Sequence, residues 1–272
     1  MEIAEIWRCP VKTMGGELLT RARVGPLGLE GDRVVHVEDV LGRVVTSRSH
    51  PRFLAHKGTL DLDGEPLVDG WPWRSPEVSA DVDDIAGPGA RLVRFDGPER
   101  FDVLPLLVAT DGAIAAFGHD RRRLRPNLVI GGVDGMAERD WPGCSLRIGK
   151  VLIGVQDLRQ RCIMTSFDPD TQVQDRNVTR GIFRRFGGTL ALDCFVMEAG
   201  EVALGDAVEL LGPIFEPFLT TREAGKGMGL GLAVSHAIVT SHGGTMTMES
   251  ELGKGSTFQV ELPSAPDFTP TR

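Results

Sequence analysis

The sequence predicts a mainly β protein, and three observations point to this class. Short alternating or apolar runs recur up to about residue 211, and glycine, proline and aspartate interrupt them about every ten residues. In this region one good helix candidate begins at Thr110-Asp111, where a capping side chain precedes apolar residues. After Gly212 the pattern changes to one amphipathic helix followed by two alternating strands. We therefore expect a β-barrel followed by a small α+β fragment.

The first region is predicted to contain strands and strand pairs separated by turn residues. In chain order they are 18–24, 33–38, 92–95, 127–130, 145–156 folded at Gly149-Lys150, and 190–211 folded near 198–200. In the second region a helix is predicted over 230–241, and Gly243-Gly244 ends it. Strands at 245–251 and 256–261 follow, and the tail 264–272 is expected to be frayed.

The composition excludes several classes of protein. The chain has 272 residues, 41% of them hydrophobic, and a net charge of −8. This acidic balance argues against a general nucleic-acid or anionic-membrane binder, because phosphate groups attract basic surfaces. The N-terminus lacks a signal-peptide pattern, and no apolar run reaches the roughly 18 residues of a membrane span. We expect a cytoplasmic protein with no membrane and no nucleic-acid partner.

Cys162 is the first candidate for chemistry in this sequence. It follows Arg161, and a neighbouring positive charge favours the thiolate, which is both a nucleophile and a ligand for soft metals. A cysteine beside an arginine can equally be a small buried apolar residue without chemistry. The other three cysteines show neither disulfide nor zinc-site spacing.

Three further segments carry groups suited to an anionic ligand. Lys12 and Thr13 follow Pro10 at a predicted strand end, and the other two segments are Gly31-Asp32-Arg33 and Arg125-Pro126-Asn127. Arginine gives bidentate contacts to phosphate, and lysine gives a point charge. Together these groups could hold a phosphorylated cofactor, although each one alone is more often a surface or structural charge.

In this order, these segments resemble the MOSC domain preceded by its N-terminal β-barrel. That arrangement occurs in molybdenum-cofactor sulfurases and in amidoxime-reducing components. The motifs are Pro10-Val11-Lys12, Gly31-Asp32-Arg33, Arg125-Pro126-Asn127, Arg161-Cys162 with Thr165, and Asp168-Pro169-Asp170-Thr171. The resemblance implies an N-terminal barrel over 1–95, a MOSC domain over 96–211 and a bound molybdopterin-type cofactor.

The same resemblance implies roles for individual residues. Cys162 would be the catalytic residue and the molybdenum ligand. The side chains that would contact the pterin and its phosphate are Lys12, Thr13, Arg33, Thr110, Arg125, Asn127, Arg161, Thr165 and Asp168. The chain departs from the family pattern at Thr13, where serine is common, and at Gln172, where glycine is common. The turn beyond the cysteine can therefore differ from that of the family.

The resemblance implies an oxidoreductase that acts on N-oxygenated small molecules, or a sulfur-handling protein. As an oxidoreductase the protein would need a separate electron-donor protein, because the sequence has no ferredoxin-like cysteine cluster. As a sulfur handler it would carry a persulfide on Cys162 and need a sulfur donor. A third interpretation is an inert barrel with an unreactive Cys162.

Residues 214–263 are similar to the C-terminal part of the histidine-kinase ATPase domain. Residues 215–221 resemble its F-box, 225–232 its glycine-rich lid, and 253–258 with 262–263 its closing hairpin. Glycines that lead into a helix expose backbone N–H groups to phosphate. The alternative function is therefore a nucleotide-binding signalling module, and its candidate residues are Gly225, Gly227, Gly229, Gly231 and Thr257.

This ATPase-like fragment, predicted over 212–263, is incomplete in the sequence. Complete members of the family hold the magnesium ion with an asparagine on an upstream helix. The chain has only two asparagines, Asn127 and Asn177; both precede the lid, and neither sits in that helix. The DxGxG turn that reads adenine is also missing. We therefore expect neither kinase activity nor ATP binding, and interpret the fragment as a remnant or a fusion. Half a sheet with one helix leaves apolar surface uncovered, which predicts packing against the barrel or self-association.

Overall fold

The computed structural model describes residues 1–95, 97–213, 235, 239, 244–251 and 255–263. Its strands are β1 (Glu2–Arg8), β2 (Glu17–Leu19), β3 (Arg21–Gly25), β4 (Gly28–Leu29), β5 (Val35–Glu38), β6 (Val44–Val45), β7 (Gly58–Leu60), β8 (Pro66–Val68), β9 (Trp71–Pro72), β10 (Arg91–Arg94), β11 (Leu106–Thr110), β12 (Leu128–Gly131), β13 (Cys144–Ile148), β14 (Val151–Gln160), β15 (Thr189–Glu198), β16 (Gly200–Ala203), β17 (Val208–Pro213), β18 (Thr245–Glu251) and β19 (Gly255–Glu261). The α-helices are α1 (Pro76–Ala86), α2 (Asp111–Phe117) and α3 (Arg176–Phe186). The predicted mainly β class is confirmed.

An eight-stranded sheet contains the largest core. Its order is β17-β13-β14-β15-β11-β12-β1-β2, and its neighbours are antiparallel except β11 and β12. The amide of Val208 donates to the carbonyl oxygen of Met1 at 2.9 Å, so the first strand also reaches β17. The sheet therefore curls around a core that includes the fully buried Ile6, Leu106 and Leu146.

The N-terminal segment adds smaller sheets and a second core. Sheets β10-β5-β6 and β7-β8-β9 enclose this core with α1, and Met14 and Phe53 are fully buried in it. Strand β1 lies inside the large sheet, and β3 pairs with β16. Segments on both sides of residue 95, the predicted domain boundary, therefore share sheets.

The helices begin at side-chain caps. Thr110 caps α2 as predicted, and its hydroxyl accepts from the amide of Ala113 at 3.1 Å. Two helices were not predicted from the sequence: α1, which is capped by Ser75 with proline at its first turn, and α3, which is capped by Asp175. Helix α3 ends at Gly187, which adopts a left-handed conformation.

Of the two strand pairs predicted in the first region, the structure confirms one and contradicts the other. The pair at 145–156 is confirmed as β13 and β14, joined at Gly149-Lys150. The pair at 190–211 is wrong, because the chain makes three strands there that do not pair with one another. Strand β15 lies between β14 and β11, β16 pairs with β3, and β17 pairs with β13. The chain changes sheet after Glu198, which buries Val202 in the large core.

The C-terminal hairpin is confirmed, because β18 and β19 pair from Thr245 with Glu261 to Glu251 with Gly255. Ser235 and Val239 are helical, in agreement with the predicted helix. The rest of that helix, the F-box, the lid and the tail lie outside the described residues. In the part of the chain that the structure describes, none of the helices has the length and apolar character needed to cross a membrane.

Candidate functional site

A cleft of about 620 Å³ opens where the N-terminal segment meets the end of β14. Seven of the predicted site residues line it, namely Lys12, Thr13, Arg33, Arg125, Asn127, Arg161 and Cys162. Cys162 follows β14 and is exposed, whereas Cys9, Cys144 and Cys194 are buried. The fold therefore brings four separate sequence motifs to one place around the accessible thiol.

The cleft carries a positive charge in an acidic protein. Its lining contains seven cationic side chains and three carboxylates. The cations are Lys12, Arg33, Arg48, Arg123, Arg125, Arg159 and Arg161, and the carboxylates are Asp102, Asp157 and Asp193. The whole chain has a net charge of −8. A cleft with this lining attracts anions and concentrates them near Cys162.

Three residues of the cleft have strained backbones. Thr13, Arg33 and Arg125 have φ values of +82°, +53° and +56°, a region that L-residues other than glycine rarely occupy. Such a conformation costs about 1–3 kcal/mol, and it persists where the surrounding structure enforces it, often at functional sites. The strain at these three residues therefore marks the cleft as a candidate functional site.

Asp32 orders one wall of the cleft. Its carboxylate is fully buried, accepts from the amide of Cys9 at 2.7 Å and from Nδ2 of Asn127 at 3.1 Å, and pairs with Arg33. Burial alone would lower the pKa of Arg33, but Asp32 raises it above its usual value. Arg33 is therefore held charged and in place.

Asp102 and Arg48 form a second network, and neither residue was predicted from the sequence. Asp102 accepts from Nζ of Lys12 at 2.8 Å and pairs with Arg48. Burial opposes ionisation of Asp102, but Lys12 and Arg48 outweigh it and hold its pKa below the usual value. Arg48 also lines the cleft beside Cys162; burial would lower the pKa of Arg48, but the charges of Asp102 and then of Cys162 raise it. Arg48 thus connects the thiol to the Lys12 side of the cleft.

Two arginines of the cleft retain unused hydrogen-bond donors. The guanidinium of Arg125 forms no ion pair or hydrogen bond with any residue that the structure describes. Arg161 donates from Nη2 to the carbonyl oxygen of Leu124 at 2.8 Å, while its buried Nε has no partner. Burial, and then the charge of Arg159, lower the pKa of Arg161 to about 10. An anion in the cleft would satisfy these donors and offset the cost of the buried charge.

Three predicted ligands do not line the cleft. The assignment of Thr110 is corrected, because its buried hydroxyl caps α2 and donates to Oε2 of Glu138 at 3.2 Å. Thr165 is also buried, and it donates to the carbonyl oxygen of Cys162 at 3.0 Å. Asp168 pairs with Arg123 at 2.8 Å. Thr165 and Asp168 therefore support the loop around the cysteine and a cationic neighbour.

The turn beyond the cysteine keeps a conformation that glycine favours. Gln172 has a φ of +58°, so the left-handed backbone is present without a glycine. Its side chain donates from Nε2 to the carbonyl oxygen of Asp170 at 2.7 Å, which helps to hold the turn. Replacement of the family's glycine therefore does not remove the left-handed turn.

These features define a mainly β protein with a cationic cleft around an exposed cysteine. Residues 113–209 match the family model of the MOSC domain, and residues 1–70 match that of the MOSC N-terminal beta barrel domain. The chain therefore contains a MOSC domain preceded by a MOSC N-terminal beta barrel domain. Residues 204–266 match the model of the histidine kinase-, DNA gyrase B- and HSP90-like ATPase, which confirms the second resemblance.

The two regions have different relatives. The human mitochondrial amidoxime-reducing component 1 is 26% identical over 281 residues, which cover 77% of this chain and 83% of that protein. Sensor kinase CckA of Brucella abortus is 45% identical over 71 residues, covering 26% of this chain and 8% of the kinase. Sensor histidine kinase ZraS of Escherichia coli is 52% identical over 59 residues, covering 22% and 12%. The chain therefore spans only a small part of the sensor kinases that it matches.

Among solved structures, the YUAD protein of Bacillus subtilis aligns over 77% of this chain and 94% of its own. The TM-score is 0.43 and the sequence identity is 12%, values too low to support a functional comparison.

Proposed function

We propose that the cleft binds a molybdopterin-type cofactor and that the protein is a reductase of N-oxygenated small molecules. The observation that carries this proposal is the cluster of seven cationic side chains around the exposed Cys162 in a chain of net charge −8. The relative named as an amidoxime-reducing component supports the reaction class, because it matches most of the chain at low identity.

The residues of the cleft fit the proposed cofactor. Arg125 and the Nε of Arg161 offer free donors to a phosphate, and Arg33 and Lys12 add positive charge. Asn127 adds an amide beside them, although Asp32 and the amide of Leu107 occupy part of its hydrogen-bonding capacity. The volume of about 620 Å³ lies in the range of small-molecule and cofactor pockets.

The protein side chains have distinct roles in this proposal. When bound, the cofactor would supply a redox-active metal for the reduction of an N–O bond. Cys162 would hold that metal through Sγ, and Arg48 would place a positive charge beside the sulfur. Reduction of an N–O bond consumes protons, and Asp193 is the cleft carboxyl best suited to hold one. Burial raises its pKa, although Arg159, 3.1 Å away, opposes this effect.

Sulfur transfer is the second candidate function, and the exposure of Cys162 favours it. The thiol is accessible both from the cleft and from the groove along α3. A donor protein that carries a persulfide could therefore transfer its outer sulfur to the Cys162 thiolate, which would leave a persulfide on Cys162 and a thiolate on the donor. The two functions share Cys162 but differ in whether the isolated protein retains molybdenum.

Elemental analysis after expression in a host that makes the cofactor tests the proposal. We expect about one molybdenum per chain, since one thiolate would ligate one metal, and a loss of about tenfold or more in Cys162→Ala. Cys144→Ala is the matched control, because Cys144 lies on β13 outside the cleft. Retention of molybdenum by Cys162→Ala would refute the ligand assignment. Persulfide on Cys162 without molybdenum would instead favour sulfur transfer.

A further inference from the structure

Helix α3 forms a basic surface beside Cys162. A groove of about 880 Å³ runs from Cys162 along this helix, and its lining includes Arg176, Arg180, Phe183 and Arg184. The three arginines are four residues apart, which places them on one face of the helix. We call Arg176, Arg180, Phe183 and Arg184 the α3 surface.

The charges of the α3 surface are not balanced within the described part of the chain. Arg180 and Arg184 form no ion pair or hydrogen bond there, and Arg176 contacts only Oε1 of Gln174, at 3.4 Å. The helix contains no acidic residue. By contrast, Arg123 in the neighbouring cleft is paired with Asp168.

This charge pattern weakens the helix. Like charges four residues apart destabilise a helix by about 0.2–0.5 kcal/mol per pair. Arg176 also lies in the first turn, where the helix dipole disfavours positive charge. Arg184 lies in the last turn, where the dipole favours positive charge, so helix stability can account for Arg184 but not for Arg176 or Arg180. An external group with negative charge would offset the repulsion along the row.

The surface has the composition of a protein interface. Phe183 is 55% exposed, and Ile163, which follows Cys162, is 41% exposed. Arginine and aromatic side chains are enriched in interface hot spots, and exposed aliphatic groups add apolar contact. From Arg176 to Arg184 the helix rises about 12 Å, at 1.5 Å per residue. A row of this length exceeds what one phosphate or carboxylate would occupy, and it fits an acidic protein face.

We propose that the α3 surface docks an acidic electron-donor protein beside Cys162. The proposal rests on the reductase function, in which R–NH–OH takes up two electrons and two protons and yields R–NH2 and water. The donor supplies the electrons and is itself oxidised. Complementary charges steer such a partner and accelerate association. Nucleic acid is the less favoured occupant, because the chain as a whole is strongly acidic.

Binding to the cofactor-free chain tests the surface without relying on activity. The probes are two acidic redox proteins, a [2Fe–2S] ferredoxin and a flavodoxin, titrated at about 20 mM salt, where charge screening is weak. We expect saturable binding of at least one probe. Arg180→Glu with Arg184→Glu places acidic side chains opposite the acidic probe. The repulsion should weaken binding about tenfold or more. Salt of about 300 mM should weaken it as well.

The control variant reverses two charges far from Cys162. Lys150 lies at the opposite end of β14, roughly 30 Å away by strand rise, and Arg21 lies on β3. Arg21→Glu with Lys150→Glu changes the net charge equally, and we expect less than about a twofold change in affinity. Circular dichroism checks that both variants are folded. Arg180→Lys with Arg184→Lys keeps the charges and should retain most of the affinity.

Three results of these binding experiments would refute the proposal. The proposal is wrong if neither probe binds, or if the α3 and control variants weaken binding equally. It is also wrong if only single-stranded DNA binds and the α3 variant abolishes that binding. Activity driven by reduced methyl viologen tests the reductase function separately, because this small donor does not need the surface. If that activity is absent, the proposed reductase function is wrong. The binding data would still show whether the α3 surface docks an acidic protein.

Discussion

The MOSC region and the C-terminal fragment differ in two respects: how similar each is to known proteins, and how much of a functional site each contains. The MOSC region is only 26% identical to the amidoxime-reducing component, yet its cleft contains cations from four separate segments together with an exposed thiol. The fragment reaches 45–52% identity with sensor kinases but spans 8–12% of their length. Local identity therefore says little about whether a functional site is whole.

The reason lies in how each site is built. The cleft depends on a few side chains from distant segments, such as Lys12, Asp102 and Cys162, which only the fold brings together. Most residues between them are free to change if the sheet is preserved. The glycine-rich lid of the ATPase domain is continuous in sequence, so it retains high identity even when the partner segments are missing.

Among variants that test whether the cleft is a complete anion site, we expect the largest loss of ligand binding from a change at Arg125. Its guanidinium has no partner within the described residues, so Arg125→Ala removes a phosphate donor without breaking an internal contact. Molybdenum retention and pyrophosphate affinity should fall about tenfold or more. Arg52→Ala is the control, because Arg52 pairs with Asp84 outside the cleft. Equal retention in both variants would contradict a complete anion site.

Asp102→Asn should have a smaller effect of opposite sign. Asp102 neutralises Lys12 and Arg48, so its removal should strengthen pyrophosphate binding by about threefold, as expected for partly screened charges. The pKa of Asp102 is held below its usual value, chiefly by Lys12 and Arg48 against burial, so the carboxylate is charged at neutral pH. The difference between variant and wild type should therefore persist across the neutral range and vanish only when acid protonates Asp102, below the usual pKa of an aspartate. Calorimetry at several pH values measures it, and weaker binding in the variant would exclude this role.

The fold was predictable where local signals and tertiary structure agree. The hairpin of β13 and β14 followed from alternation around Gly149-Lys150, and α2 from the cap at Thr110. Helix α3 was missed because Gly181 and β-branched residues weaken its propensity. Burial of Val178 and Ile182 in the core near β15 compensates for this, and the local sequence does not show it.

Among the site residues, too, those with a local sequence signal were predicted, and those that depend on tertiary contacts were not. Lys12, Arg33, Arg125 and Cys162 belong to short motifs and were predicted from sequence. Arg48 has no such motif, and its role depends on the approach of segments that are far apart in the chain. Thr110 was misassigned because a helix cap and a ligand use the same hydroxyl, and only the structure shows its partners.

The smallest expected effect is that of removing residues 214–272. Strand β17 ends at Pro213, so the shortened chain keeps the strand that pairs with β13. Every residue of β19 is exposed, and its described strand pairing is with β18, so the hairpin contributes little burial to the cleft region.

We therefore expect the thermal midpoint to move by less than about 3 °C, which corresponds to under roughly 1 kcal/mol. Molybdenum retention should not change, and neither chain should show saturable ATP binding by calorimetry. The alternative function, a nucleotide-binding module, makes the opposite prediction: ATP should saturate the full chain, the truncation should abolish binding, and Gly229→Ala should weaken it. Since phosphate contacts without a metal ligand or an adenine contact leave most of ATP unrecognised, saturable binding would mean that a partner copy completes the site. In that case the fragment is functional, and the contrast between the two regions disappears.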